Sequence, residues 1–362
     1  MQTDPPTRFP ASAPSTSPVS HSAAEAPSTA GGRLAITDDE MERAGDIVTK
    51  LADAFDSKVV GQARLRTSLL VTMLAEGHIL LESVPGLAKT TAASTVASAV
   101  NASFVRIQCT PDLLPSDIIG TQVYDPTTAT FSTRLGPVHA NFVLLDEINR
   151  SSAKTQSAML EAMQERQTSI GGQMYPLPGL FMVLATQNPI EEEGTYILPE
   201  AQMDRFLLKE VIDYPTPDEE FEVLNRIDSG VLGAHAAEQA SVVDIPDVVF
   251  LIELASRVYV DDAVKRYAVA ITQATRHTAT VIDPTLASYV EFGASPRGAI
   301  ALQQVGRALA LLNGRTYVLP DDLRALRYSV MRHRLHLGFQ AITDDVAVES
   351  IIDAIYAAVP TP

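Results

Sequence analysis

Short apolar runs alternate with helical stretches between residues 36 and 213. A run of four or five apolar residues bounded by turn-forming residues is typical of a strand that is buried on both faces. Five such runs occur, at 78–82 (HILLE), 104–108 (FVRIQ), 142–145 (FVLL), 181–185 (FMVLA) and 206–211 (FLLKEV). Helical periodicity lies between several of them, as at 89–100 and 152–165. This alternation predicts an α/β fold with a mostly parallel sheet that helices cover on both faces.

Two stretches within this region have the pattern of hairpins. One covers 121–133 and turns near Asp125-Pro126, and the other covers 167–177 and turns at Gly171-Gly172. Turn-forming residues between two short strand-like runs favour a β-hairpin. We therefore expect two hairpins inserted into the α/β region.

After residue 213 the pattern changes to helical periodicity. The segment 214–217 (YPTP) interrupts the strand–helix alternation and predicts a domain boundary. Helical segments follow at 218–227, 248–258, 263–275, 295–313, 320–335 and 344–358. Near the other end, Thr37 and Glu40 have the spacing of a capping box that begins the first helix. These signals predict an α/β core at 36–213 and an all-α domain at 214–362.

The first 35 residues differ in composition from the rest of the chain. Residues 1–35 are dominated by Pro, Ser, Thr and Ala and contain almost no bulky apolar side chains. Such a segment cannot bury enough apolar surface to offset the conformational entropy lost on ordering. We therefore expect residues 1–35 to form a disordered tail.

Composition and cysteine content narrow the class of protein. Hydrophobic residues make up 46% of the 362 residues and charged residues 20%, which is ordinary globular usage with a substantial core. The sequence predicts no membrane span and no secretory signal, because it lacks apolar runs of the required length and pattern. A single cysteine, Cys109, excludes an intramolecular disulfide and favours a reducing, cytoplasmic location. We expect Cys109 to be a small buried apolar residue rather than a redox group.

The charge balance bears on the choice of partners. The net charge of −17 repels phosphate backbones and argues against a nucleic-acid partner. The seven histidines are scattered, and the histidine, cysteine and carboxylate positions lack the spacing of a transition-metal site.

The segment 83–90 (SVPGLAKT) follows a predicted strand and opens a predicted helix, which is the context of a Walker A phosphate loop. Backbone N–H groups at such a helix start bind phosphate. Lys89 would neutralise the β- and γ-phosphate oxygens, and Thr90 would bind Mg²⁺. Ser83 and Ala88 occupy positions that are glycine in the strict pattern. On its own the segment also fits a strand–turn–helix corner with a surface lysine.

Polar groups at the ends of two later apolar strands support the phosphate loop. Asp146 and Glu147 follow 142–145, as in a Walker B motif. Asp146 would bind the Mg²⁺ shell, and Glu147 would activate the attacking water as general base. Asn188 follows 181–185, where its amide would hydrogen-bond the γ-phosphate or the water.

Arg205 is a candidate for stabilising transition-state charge, and Arg297 would face whatever lies near the start of its helix. Arg205 lies just before the last predicted strand, and Arg297 follows Ser295-Pro296 at the start of a helix. An arginine that one subunit presents to its neighbour's γ-phosphate stabilises the charge of phosphoryl transfer. The alternative for Arg205 is a local ion pair, for example with Asp204 or Glu200.

These pieces, in this order, resemble the MoxR family of AAA+ ATPases over about residues 40–355. The most specific stretches are IQCTPDLLPSDIIG (107–120), GPVHANFVLLDEINRSSAKTQSAMLEAMQE (136–165), TQNPIEEEGTYILPEAQMDRF (186–206), GASPRG (293–298) and NGRTYVLPDDL (313–323). The resemblance implies a P-loop AAA+ core with a parallel sheet, a helix-2 insert hairpin at 121–133 and a small all-α lid.

The same resemblance assigns roles to residues of a site for ATP and Mg²⁺. Asn188 corresponds to sensor 1, Arg205 to the finger that acts on a neighbouring subunit, and Arg297 to sensor 2, with Arg150 as an alternative finger. The metal would be held by Thr90 and Asp146. The nucleotide would contact Val59, Val60 and Gly61 beside the adenine, and Pro85, Gly86, Leu87, Ala88, Lys89, Thr90 and Thr91 in the loop.

The function that the resemblance implies is Mg-dependent ATP hydrolysis by a homo-oligomeric ring. The implied ring is a hexamer. Relatives of this kind remodel, mature or activate protein clients, among them proteins with von Willebrand A-type domains. Two alternatives share the same core. One is a nucleotide-gated binding scaffold with little turnover, and the other is the ATPase subunit of a metal-chelatase-type complex.

Overall fold

The computed structural model describes residues 35–84, 86–188, 196, 198–233 and 240–362. Except for Ala35, the predicted tail at 1–35 lies outside the described residues, as does Pro85 of the phosphate loop. The described part contains eleven strands, in four sheets. They are β1 (Ile79–Glu82), β2 (Phe104–Gln108), β3 (Gly120–Asp125), β4 (Thr130–Leu135), β5 (Phe142–Asp146), β6 (Gln167–Ile170), β7 (Gln173–Pro176), β8 (Met182–Gln187), β9 (Leu208–Val211), β10 (Val290–Phe292) and β11 (His336–Leu337).

Helices account for most of the remaining described chain. They are α1 (Asp38–Lys58), α2 (Ala63–Leu74), α3 (Lys89–Ala99), α4 (Pro115–Ile119), α5 (Ala153–Glu165), α6 (Glu200–Met203), α7 (Pro217–Asp228), α8 (Ile245–Arg257), α9 (Asp262–Arg276), α10 (Pro284–Ala287), α11 (Pro296–Leu312), α12 (Pro320–Ala325), α13 (Arg327–Met331), α14 (Phe339–Thr343) and α15 (Val348–Ala358). Short 3₁₀ helices cover Ile148–Arg150 and Thr278–Thr280. No helix among the described residues is long and apolar enough to cross a membrane.

The central sheet has five parallel strands in the order β2-β5-β8-β1-β9. Each of the five apolar runs contributes one of these strands, so the predicted parallel sheet is confirmed. Strand residues alternate between two buried clusters. In β1, Leu81 packs with residues of α1, α2 and α3, whereas Leu80 packs on the opposite face with residues of α5. Burial on both faces explains why these strands are apolar at nearly every position.

Both expected hairpins are present. Strands β3 and β4 pair antiparallel from Gly120↔Leu135 to Asp125↔Thr130, and β6 pairs with β7. The turn between β6 and β7 consists of Gly171 and Gly172, which have φ values of +59° and +81°. Two positive φ values match the right-handed twist of the hairpin and favour glycine at both positions.

The chain after residue 213 is mostly helical, as expected. Helix α7 begins at Pro217 and has a capping box formed by Thr216 and Glu219. Helix α1 has the predicted capping box of Thr37 and Glu40. Helix α11 packs against α2, α8, α9 and α12, so the apolar cluster on one face of the central sheet continues into the helical region.

Two details of the helical region differ from the prediction made from the sequence. The stretch 320–335 was expected to be one helix, but it forms α12 and α13, which are separated at Leu326. Strands β10 and β11 form a two-stranded antiparallel ribbon within a region expected to be entirely helical. Strands of two and three residues are too short to show an alternating pattern, so periodicity alone could not reveal them.

Candidate nucleotide-binding site

The phosphate loop joins the carboxyl end of β1 to the first turn of α3. Gly86 has φ +89°, and Ala88, the N-cap residue of α3, has φ +52°. No side chain caps this helix start. The first backbone N–H groups of a helix have no partner within the helix, so they are available to an anion. The loop therefore has the backbone geometry that a bound phosphate group requires.

Ser83 and Lys89 show how the loop departs from the strict pattern. Ser83 is 2% exposed, its N–H donates to Gln187 O at 3.3 Å, and its hydroxyl donates to Val84 O at 3.1 Å. This serine therefore extends the sheet pairing and does not line the phosphate cradle. Lys89 Nζ donates to Ser83 O at 3.3 Å, so the ammonium group lies across the loop.

A cleft of about 690 Å³ opens beside the loop, within the range of about 300–1,000 Å³ that is usual for small-molecule sites. One wall contains loop residues and the segment before α2 that the resemblance assigned to the adenine. The opposite wall is the apolar side of α7. The sequence alone did not predict that α7 lines this cleft. The lining residues include Val59, Val60, Gly86, Leu87, Ala88, Thr91, Val223, Leu224 and Ile227.

Helix α7 has an apolar side that only the structure shows to be uncovered. No residue of α7 is buried, and its large apolar side chains Phe221 and Leu224 are 66% and 60% exposed. An apolar helix side without a covering element marks a binding surface. Gly61 does not line the cleft. Its φ is +72°, a conformation that favours glycine, and a side chain there would meet only the carboxyl end of the Glu219 side chain.

The two carboxylates lie at the carboxyl end of β5. Asp146 is 9% exposed, and its Oδ1 accepts a hydrogen bond from Thr186 Oγ1 at 2.7 Å. The same hydroxyl oxygen accepts from the backbone N–H of Glu147 at 2.8 Å. Glu147 has φ +56°, which is strained for a residue with a side chain. Thr186 thus holds both acidic residues in place.

Residues of β2 contact both carboxylates, and sequence reasoning missed them. Arg106 Nε donates to Asp146 Oδ2 at 3.0 Å, and Gln108 Nε2 donates to Glu147 Oε2 at 2.9 Å. Arg150 Nε lies 3.2 Å from the same Glu147 oxygen. Local sequence does not give the order of strands in a sheet, so it could not be predicted that β2 lies beside β5.

Asn188 completes this edge of the sheet. It directly follows β8, which lies between β5 and β1, and it is 6% exposed. The phosphate loop, Asp146, Glu147 and Asn188 therefore share the carboxyl edge of three adjacent parallel strands. Ligands of open α/β sheets bind at this edge.

Oxygen ligands at this edge suit a hard divalent cation. Mg²⁺ keeps several waters and takes few protein oxygens besides the phosphates of its nucleotide. A threonine hydroxyl and one carboxylate, Thr90 and Asp146, fit that requirement. Asp146 already binds a cation in the form of the Arg106 guanidinium. Within the described ranges, no group of three or more His, Cys, Asp or Glu residues forms another metal site.

The two candidate arginines lie elsewhere. Arg205 and Arg297 line one small cleft together with Asp204 and Arg334. Arg205 precedes β9, which runs parallel to β1, so it lies at the amino edge of the sheet. A four-residue strand separates the two edges by about 13 Å. Neither arginine lines the cleft beside the phosphate loop.

The local partners considered for Arg205 are occupied by other residues. Asp204 accepts from Arg334 Nε at 2.9 Å and from Ser295 Oγ at 2.7 Å, and Glu200 lies 3.1 Å from His336 Nδ1. The structure gives no side-chain hydrogen bond or ion pair for Arg205 or Arg297 within the described part of the chain. The ion-pair alternative for Arg205 is therefore not found.

Two buried groups near these sites have perturbed pKa values. Arg334 is 3% exposed, and burial lowers its pKa to about 10, although Asp204 opposes this change. Burial raises the pKa of the Cys109 thiol to about 12, and the side chain packs in the apolar cluster around α5. Cys109 is thus a buried apolar residue, as expected.

Comparisons with known proteins agree with this arrangement. A family model described as "ATPase family associated with various cellular activities (AAA)" matches residues 78–208, and one described as "AAA lid domain" matches residues 285–355. The chain is 44% identical over 348 residues to Chaperone MoxR1 of Mycobacterium tuberculosis, which covers 95% of this chain and 89% of that protein. It is 30% identical to Protein MoxR of Paracoccus denitrificans, over 85% of this chain and 94% of the relative.

A solved structure supports the same conclusion at the level of the fold. The crystal structure of a protein named as a candidate ATPase of Cytophaga hutchinsonii matches with a TM-score of 0.83 and 40% sequence identity, covering 90% of this chain and 98% of that one. The α/β core, the helical lid and the sequence identity across most of the length of two relatives lead to one assignment. The chain belongs to the MoxR family of AAA+ ATPases.

Proposed function

We propose that this protein hydrolyses ATP with Mg²⁺ in a homo-oligomeric ring and uses the hydrolysis to remodel or activate protein partners. One observation carries the proposal. The phosphate loop and the acidic residues lie at one edge of the sheet, whereas Arg205 and Arg297 lie at the other. Each subunit therefore holds the two halves of a phosphoryl-transfer site, but it holds them on opposite sides.

Nucleotide binding follows from the cleft beside the loop. The base would pack between Val60 and the apolar side of α7, which exclude water from its faces. The phosphates would bind the backbone N–H groups at the start of α3, and Lys89 would turn from Ser83 O towards the γ-phosphate. Bound Mg²⁺ would neutralise phosphate charge, held by Thr90 and Asp146.

Glu147 is the group best placed to activate water. Its backbone N–H donates to Thr186 Oγ1, and its φ of +56° ends the extended backbone of β5. A carboxylate in this position can accept a proton from the attacking water. Asn188, at the end of the neighbouring strand, would orient that water or the γ-phosphate.

Arg205 and Arg297 would complete the site of an adjacent subunit. An arginine supplied from outside the nucleotide-binding subunit stabilises the charge that develops on the transferred phosphoryl group. Such contacts join unlike surfaces and close into a ring. Arg150 is less suited to this role because it pairs with Glu147 of its own subunit. A hexamer remains our expectation for the ring size.

The partner-remodelling role rests on relatives and on one exposed element. A relative of this chain is named as a chaperone. The β3–β4 hairpin presents Tyr124 and Phe131 to solvent, with exposed fractions of 51% and 67%. Exposed aromatic pairs favour protein contacts. Clients with von Willebrand A-type domains and a cytoplasmic location stay predictions of the sequence.

The main alternative is a scaffold that binds nucleotide with little turnover. The contacts of Gln108 and Arg150 with Glu147 favour it, because they engage the proposed base in this conformation. The ATPase and the scaffold differ in whether they release phosphate. For an ATPase we expect phosphate release that depends on Mg²⁺ and that is lost in Lys89→Ala and Glu147→Gln. Lys50→Ala and Glu42→Gln, exposed residues of α1, serve as matched controls. Equal phosphate release by wild type and Glu147→Gln would contradict hydrolysis at this site.

A further inference from the structure

The guanidinium of Arg106 binds the carboxylate of Asp146, to which we assign metal binding. Strands β2 and β5 pair in register, with Gln108 opposite Asp146, so Arg106 and Gln108 project on the same side of β2. Arg106 Nε and Nη2 both donate to Asp146 Oδ2, at 3.0 and 2.5 Å. Asp146 Oδ1 accepts from Thr186. Both oxygens of this nearly buried carboxylate therefore have partners.

Arg106 also sets the orientation of the neighbouring amide. Its Nη2 donates to Gln108 Oε1 at 3.3 Å, and Gln108 Nε2 donates to Glu147 Oε2 at 2.9 Å. An arginine has no acceptor, so the amide oxygen must face Arg106 and the NH₂ group must face Glu147. One guanidinium thus connects the metal-binding acid with the proposed general base.

We propose that Arg106 is a positioning residue that holds Asp146 in place of the metal and that must leave this carboxylate when Mg–nucleotide binds. The Arg106 guanidinium fills the hydrogen-bonding position at Asp146 Oδ2 that a water of the Mg²⁺ shell would need, and its charge repels the metal. Asp146 is fixed by Thr186, whereas the Arg106 side chain is 50% exposed and can turn into solvent. The arginine is therefore the partner that moves.

Departure of Arg106 has a consequence for Glu147. Without Arg106 the Gln108 amide loses the contact that fixes its orientation, and its hold on Glu147 Oε2 weakens. Occupation of the metal site is thereby linked to release of the general base. This inference rests on the proposed ATPase site. It adds that Arg106 and the incoming Mg²⁺ compete for Asp146.

The test measures Mg²⁺ dependence of nucleotide binding, with a fluorescent ATP analogue and the full chain. Arg106→Met removes the competing charge and keeps most of the side-chain length. We expect the half-saturating Mg²⁺ concentration to fall about three- to fivefold, the size expected for loss of a partly exposed ion pair. Affinity for the analogue in EDTA should stay unchanged. Arg134→Met, an exposed arginine of the β3–β4 hairpin, removes the same charge and should leave the Mg²⁺ midpoint unchanged.

A second pair of variants shows whether the effect acts through Asp146. In an Asp146→Asn background, Arg106→Met should no longer lower the half-saturating Mg²⁺ concentration, because the contested carboxylate is gone. An unchanged or higher midpoint in Arg106→Met alone would overturn the proposal, and so would an equal decrease in both backgrounds. If wild type failed to bind the analogue at any Mg²⁺ concentration, the proposed function itself would fall.

Discussion

Asp204 joins the segment that carries Arg205 to the lid, and its removal should destabilise that junction. Asp204 Oδ1 accepts from Arg334 Nε at 2.9 Å, and Oδ2 accepts from Ser295 Oγ at 2.7 Å. Arg334 also donates to the carbonyl oxygens of Phe206, Leu207 and Val330. Replacing Asp204 with alanine would leave the Arg334 guanidinium buried, with carbonyl partners but without an opposing charge.

The magnitude follows from the burial of the arginine. The Arg334 side chain is 2% exposed, and removing one partner of a buried ion pair costs about 3–5 kcal/mol. Burial lowers the pKa of Arg334 to about 10 even though Asp204 opposes this change, so loss of Asp204 would lower that pKa further. We expect Asp204→Ala to lower the free energy of unfolding by about 3 kcal/mol, since three carbonyl contacts remain. The unfolding entropy grows with the length of the folded unit, which spans residues 36–362, so the melting temperature should fall by about 4 °C.

Thermal and urea unfolding would measure the effect, with Asp53→Ala, an exposed position in α1, as the matched control. The double variant Asp204→Ala/Arg334→Met removes both charges and should be less destabilised than Asp204→Ala alone, because no buried charge is left unpaired. An Asp204→Ala protein that melts within about 1 °C of wild type would refute the claim that this pair holds the junction.

Three further predictions concern single groups. His78 donates from Nε2 to Met163 O and accepts at Nδ1, and burial lowers its pKa to about 4. Because the folded pKa lies below the unfolded value near 6.5, this stability is present above pH 6.5 and is lost as the pH falls towards 4. Between pH 7 and 5 the urea-derived free energy should fall about 2 kcal/mol more in wild type than in His78→Asn, and equal slopes would contradict this. Cys109, at 1% exposure and with its pKa raised, should resist iodoacetamide at pH 8 until the protein is unfolded, and rapid labelling of native protein would show the packing to be wrong. Gly61 has φ +72°, where a residue with a side chain costs about 1–2 kcal/mol, so Gly61→Val should strain the segment that carries Val59 and Val60 and weaken nucleotide binding about tenfold. Unchanged affinity in equilibrium binding would contradict a role for this segment in the site.

Much of the fold could be predicted from local pattern. Strands buried on both faces gave unbroken apolar runs, and paired glycines at 171 and 172 gave a hairpin turn that requires positive φ. The phosphate loop and the acidic pair were also readable, because each motif lies within a few residues of chain.

Features that depend on strand order or on contacts between distant segments could not be read in this way. Arg106 lies 40 residues before Asp146 in sequence, and only the pairing of β2 with β5 brings the two together. The apolar side of α7 became part of a cleft only once the helix was placed beside the phosphate loop. The placement of Arg205 and Arg297 at the far edge of the sheet likewise required the direction of β9 relative to β1.

The central claim is that a complete site requires two subunits, and mixing two inactive variants tests it most directly. Glu147→Gln keeps Arg205 but lacks the base, whereas Arg205→Ala keeps the base but lacks the finger. In a 1:1 mixture allowed to exchange subunits, about a quarter of the head-to-tail contacts would combine an intact Glu147 with an intact Arg205. We predict that phosphate release in the mixture recovers to about a quarter of the wild-type rate, while each variant alone stays inactive. A mixture no more active than the mean of the two variants would contradict a site shared between subunits.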